Sequence, residues 1–187
     1  MSSSHYTSII LSGLPLSGKT TLAQRLSDIY KWEIYSIGQI WRERWKQKYP
    51  DEAISFEAYW RNVSVDDNRK VNEEARVTFQ QGNVIGDTRY TNSCEGLPVL
   101  LVFVTADLET RARRGMQTDK YVGKSLAEIR QILLRRERDE FSMGQQLYGT
   151  RYDYRNPHHY HLMLNSRVLT VEQEVAIVTG LVAACTK

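Results

Sequence analysis

The chain has 187 residues, 41% of them apolar and 25% charged, with a formal net charge of +3. That describes a single domain over residues 1–187 that can bury a core without disulfides, since its two cysteines, Cys94 and Cys185, stand far apart with no ligand-forming neighbours. The charge suits small anionic substrates and is too weak for nucleic acid. No run matches a membrane span or a secretory leader, so a reduced, cytoplasmic setting is expected.

Strand-like and helix-like segments alternate, which predicts an α/β fold with a mainly parallel sheet. Residues 7–12 read as the first strand. A helix follows over Lys19–Tyr30, then a short strand, Glu33–Ser36, and a helix over residues 38–48. A long helical region spans residues 55–81, broken near 63–65 and stopped by Gly82. Residues 83–87 form the third strand. The apolar run 98–105 (PVLLVFVT) forms a fourth, buried on both faces. Asp107 caps the next helix, and Ser125 with Glu128 forms a capping box for a charged helix reaching about residue 141. Residues 160–164 are the fifth strand, and Thr170 with Gln173 caps the last helix. The apolar-poor stretches 42–67 and 117–157 read as mobile flaps on the one domain.

Between the first strand and its helix stands Gly13-Leu-Pro-Leu-Ser-Gly-Lys-Thr20, which matches G-x-x-x-x-G-K-[ST]. Gly13 permits the sharp exit from the strand, and Gly18 lets backbone approach phosphate oxygens. With Ser17 and Thr21, successive N–H groups at the helix start make an anion cradle. Lys19 reaches the β and γ phosphates of a nucleoside triphosphate, and the Thr20 hydroxyl ligates magnesium. The apolar strand before it and the periodic helix after it (Leu22, Leu26, Ile29) are the context this pattern needs.

The third strand ends in Asp87-Thr-Arg89. Ligands of parallel α/β sheets sit beyond the carboxyl ends of the strands, so Asp87 is placed near Thr20, where it can hold the metal, and Arg89 can grip an acceptor phosphate.

Seven stretches in this order, GLPLSGKTTLA (13–23), SIGQIWRE (36–43), NVIGDTR (83–89), VTADLETRARR (104–114), LLRRERDE (133–140), LYG (147–149) and YHLMLNS (160–166), resemble the cytidylate kinases, particularly the short type described from archaea, within the nucleoside monophosphate kinases. The resemblance implies a P-loop kinase fold with a five-stranded parallel sheet flanked by helices, an acceptor-binding helical flap over residues 37–82 and a lid over 115–157. It implies transfer from ATP, with Mg2+, to CMP or dCMP. Its partners are therefore small-molecule nucleotides. Arg42 and Arg89 then bind the acceptor phosphate, and Arg111 lies near the base or phosphates of ATP. Arg114, Arg136 and Arg138 close over the transferring group, beside the catalytic Lys19 and Asp87.

The sequence departs from the family pattern at several points. Leu16 stands where a glycine is usual, and Asn68 and Asn72 where aspartates four apart are usual. Met143 replaces a lid arginine, and His161 an aspartate. Asn68 and Asn72 read either as acceptor-binding residues or as part of a solvated helix face. Trp32, Trp41, Trp45 and Trp60 fall in the acceptor half and read as core or hinge residues before base-stacking ones. His158, His159 and His161 lack an acidic or cysteine partner at ligand spacing and read as exposed turn residues. Two other functions stay open: a kinase of the same fold with a different nucleotide or nucleoside acceptor, and a nucleotide-binding protein without transfer activity.

Overall fold

The computed structural model describes residues 6–185. Five strands, β1 (Ser8–Gly13), β2 (Glu33–Ser36), β3 (Val84–Asp87), β4 (Val99–Thr105) and β5 (Leu162–Asn165), form one sheet in the order β2-β3-β1-β4-β5. Every pairing is parallel. The period-2 alternation of β1 sends Ile9 and Leu11 to one face and Ile10 to the other. On the first face, α1 (Lys19–Tyr30) and α7 (Val171–Ala184) supply Leu22, Leu26, Val178 and Val182. The second face is covered by α2 (Ile37–Lys48), α3 (Phe56–Arg61) and α4 (Val65–Gln81), through Trp41, Val71, Ala75 and Phe79. Gly86 lets α4 come this close: a Cβ there would stand 2.8 Å from the Phe79 ring.

The break foreseen near residues 63–65 occurs, with Asn62 ending α3 and the Ser64 hydroxyl accepting the Asp67 N–H to start α4. Asp107 likewise caps α5 (Leu108–Met116). The capping-box helix, α6 (Leu126–Tyr148), runs seven residues past its expected end. Polar Ser142, Gln145 and Gln146 hid the continuation from the sequence. Met143, Leu147 and Tyr148 pack into an aromatic cluster with Tyr90, Tyr152 and Tyr154, and Gly144 lets Tyr152 lie against the helix. Tertiary packing thus outweighs weak local propensity.

Trp32 is also corrected. It stacks on Tyr30 at 4.7 Å against the α1–α7 face, away from the other tryptophans. Trp41 and Trp60 meet edge to face at 5.6 Å, and Trp45 donates its indole N–H to the Ile54 carbonyl. His161 accepts the Leu101 N–H at Nδ1 (2.9 Å), closing the start of the β4–β5 ladder.

Candidate active site

Parallel pairing brings the carboxyl ends of β1, β2 and β3 together: Leu11 and Ser36 both stand opposite Asp87. The 13–20 loop leaves β1 at this edge. Gly13 has φ +142, and a Cβ there would lie 2.0 Å from the Val104 carbonyl oxygen, so no other residue fits. Gly18 has φ +100 and starts α1. The N–H groups of residues 18 to 21 make no hydrogen bond among the described residues, leaving four donors at a helix N-terminus. Leu16, in place of a glycine, adopts φ +60, a left-handed conformation that costs about 1–2 kcal/mol for a side chain of this kind. Its side chain packs beside Gly115 against Ala112, Tyr121, Ile129 and Leu133, tying the loop to α5 and α6.

The Lys19 ammonium turns back to donate to the Gly13 and Leu14 carbonyls at 3.1 and 3.4 Å. Burial, and then repulsion from Arg89, hold it down at about 7, against the attraction of Asp87. Thr20 is exposed at the start of α1. Asp87 is half-buried and among the described residues its carboxylate receives only a long bond from the Ser36 hydroxyl, 3.4 Å. Both offer oxygen to a hard cation.

Arg89 extends from the loop after β3 over the Tyr154 ring, 5.5 Å from its centroid. It donates to Glu140 Oε1 at 2.9 Å, and Arg136 donates to the same oxygen at 2.9 Å. Glu140 is buried, and the Tyr90 hydroxyl donates to its backbone carbonyl. Burial opposes the charge of Glu140, but Arg89 and then Arg136 outweigh it and keep the carboxyl below its usual range. In turn Glu140 lifts Arg89 above its ordinary value despite burial. Arg89 keeps two buried donors, Nε and one terminal nitrogen, without a partner among the described residues. Desolvation, and then repulsion from Arg136, lower Arg42, while Asp87 attracts it. Lys19, Arg42, Arg89, Arg136 and Asp87 therefore share one field.

Other sequence-derived residues fall elsewhere. Arg111 is buried. It donates to the Ala106 and Pro15 carbonyls and to Glu137 at 2.7 Å, beneath the loop. Arg114 donates to the Ser166 hydroxyl and carbonyl and to the Leu16 carbonyl, on the far side of the loop. Arg138 is exposed and, two residues from Arg136, points away from it. Asn68 and Asn72 are 1% and 4% exposed, which excludes the solvated-face reading. Asn72 Nδ2 donates to the Asn68 carbonyl, while both polar atoms of the Asn68 amide and Asn72 Oδ1 have no partner among the described residues. Met143 packs with the aromatic cluster. Two exposed ion pairs join the 37–82 and 115–157 stretches: Arg61–Asp139 at 3.0 Å and Lys120–Glu57 at 2.7 Å.

Glu137 and Glu140 did not emerge from the sequence. The spacing of Arg136 and Glu140, four apart on a helix, was a signal for one pair; Arg89 lies 51 residues away and gave none.

A family model described as the cytidylate kinase-like family matches residues 55–168. The cytidylate kinase of Methanospirillum hungatei is 27% identical over 180 residues, covering 96% of this chain and 98% of the relative. That of Methanosarcina acetivorans is 30% identical over 142 residues, covering 75% and 78%. Among solved structures, a shikimate kinase from Bacteroides thetaiotaomicron superposes with a TM-score of 0.59 at 16% identity, covering 95% of this chain and 98% of that one. A gluconokinase from Sinorhizobium meliloti gives 0.59 at 13%, covering 97% and 94%. These last two establish the P-loop kinase fold.

Proposed function

The chain belongs to the cytidylate kinase-like family, and from that premise we propose that it transfers the γ-phosphoryl group of ATP to the phosphate of CMP or dCMP. Family membership makes it an ATP-dependent phosphotransferase of the nucleoside monophosphate kinase type. The observation that carries the acceptor site is Arg89: a buried guanidinium, aimed by Glu140, with two donors left for a phosphate.

An acceptor phosphate oxygen attacks the γ-phosphorus in line. The new P–O bond forms as the bond from that phosphorus to the β–γ bridging oxygen breaks, leaving ADP and a nucleoside diphosphate. The attacking group is already an anion, so no general base is required. The residue 18–21 amides and Lys19 hold the donor phosphates, and Arg42 and Arg89 hold the acceptor phosphate. Arg136 meets the charge that spreads over the transferring oxygens. The Thr20 hydroxyl and Asp87 carboxylate suit Mg2+, which takes few protein ligands beside phosphate and water. When bound, the ion neutralises phosphate charge. The 37–82 and 115–157 stretches act as acceptor flap and lid.

Asn68 and Asn72 are proposed to face the acceptor base. Their unpartnered atoms supply two acceptors and one donor, which match the cytosine amine and ring nitrogen. A carboxamide also suits uracil once turned over, so discrimination is incomplete. A panel of monophosphates and nucleosides with ATP and Mg2+ tests this. CMP and dCMP are expected to lead, with measurable UMP use, and Asn68→Asp or Asn72→Asp to raise the CMP-to-UMP ratio of kcat/KM. A nucleoside outpacing CMP would overturn the acceptor; a ratio unmoved by both substitutions would overturn the role of the asparagines.

A further inference from the structure

The α7 helix turns Glu174, Val178 and Val182, four apart, toward the core. At the first of these positions an apolar residue would complete the packing. Instead stands a carboxyl that is 2% exposed and makes no hydrogen bond or ion pair among the described residues. Its Oε1 is wholly buried. An unpartnered polar group in such a place carries a cost in stability.

Glu174 lines a pocket of about 210 Å³ with Gly18, Thr21, Arg114, Ser166 and Leu169. The pocket opens beside the phosphate loop, on the side beyond Thr21. On the donor reading, Lys19 and Thr20 take the β and γ phosphates, so the α-phosphate lies toward Thr21 and the nucleoside projects into this pocket. Leu169 offers an apolar wall for a ring. Arg114, the charged neighbour whose field Glu174 feels, is already engaged by Ser166 and the Leu16 carbonyl, and forms no ion pair with Glu174 among the described residues. The carboxyl is left for a ligand.

We propose that Glu174 selects the base of the phosphoryl donor by accepting a hydrogen bond from the 6-amino group of adenine. A carboxylate oxygen accepts, and on that edge of adenine the exocyclic amine is the donor. A base without the amine leaves the carboxyl buried and unpaired, the arrangement that rejects analogues most strongly. The inference rests on the reading of residues 13–20 as the donor site and is independent of the acceptor.

The test is calorimetric binding of ADP and of the purine ribonucleoside diphosphate that carries hydrogen in place of the 6-amino group, with no acceptor present. Wild type is expected to prefer ADP by about tenfold to a hundredfold, the range for a hydrogen bond to a charged group. Glu174→Leu should bring the ratio near one by weakening ADP alone. A wild type that binds the two alike overturns the proposal without recourse to a variant. Equal loss of both ligands in Glu174→Leu also overturns it, since that marks a structural role. Absence of ADP binding would overturn the donor site with it. Failure of CMP as acceptor shows only in turnover, so the two readings fail separately.

Discussion

Replacing Glu140 by leucine would strand Arg89. The Arg89 side chain is 14% exposed, and it pairs with the Glu140 oxygen that Arg136 shares. Removing one member of a buried pair leaves an uncompensated charge and typically costs about 3–5 kcal/mol. For a chain of this size that lowers Tm by roughly 6–20 °C. Glu140→Gln keeps an acceptor oxygen but loses the charge, and should cost less, about 1.5–3 kcal/mol. The double variant Arg89→Met with Glu140→Leu removes both charges and should recover most of the loss. Urea unfolding of wild type, Glu140→Leu, Arg89→Met and the double variant gives the cycle. A Glu140→Leu protein within about 1 kcal/mol of wild type would refute the reasoning, as would a double variant no more stable than Glu140→Leu. The pH dependence has a fixed sign. The folded carboxyl titrates below its ordinary value of 4.5, so its contribution is present above that value and is lost as pH falls through the folded pKa. The advantage of wild type over Glu140→Gln should therefore shrink in acid.

Lys19→Ala should lower kcat by roughly 10²–10³-fold while leaving thermal stability intact, because the residue belongs to the ligand loop and not to the core. Since Lys19 is held at about 7 in the empty loop, ATP should raise it and draw protons from the buffer near pH 7.5, an uptake seen by calorimetry in buffers of different ionisation heat and absent from the variant; buffer-independent heats in wild type would contradict it. Arg42→Ala should raise KM for the monophosphate or lower kcat while ATP affinity measured alone stays near wild type. Equal loss for both ligands would place Arg42 at the donor.

Most of the fold was legible because its signals are local. Hydroxyl and carboxylate caps at Asp107, Ser125 and Thr170 mark helix starts within a few residues of chain, and the unbroken apolar run 98–105 marks a strand buried on both faces. The phosphate loop was legible for the same reason: Gly13 and Gly18 answer backbone demands that no other residue meets at those angles. What stayed hidden depends on partners distant in sequence. That Arg111 supports the loop from below, while Arg89 and Arg136 meet at one oxygen, is decided by where α6 lies against β3 and α5. Asn68 and Asn72 carry no sequence mark separating a buried amide from a solvated one. Glu174 was hidden because an acidic residue in the first turn of a helix is also what the helix dipole favours.

Glu137 and Glu140 stand three apart, less than one turn of α6. One anchors Arg111 under the phosphate loop, and the other anchors Arg89, proposed above to hold the acceptor phosphate. The helix therefore works as an axle with two cams. A roll of α6 about its own axis would displace both arginines together. On the proposed assignment the spacing between the two nucleotide sites is set by one element of secondary structure, and a substitution that shifts the register of α6 would mistune both ends of the reaction at once.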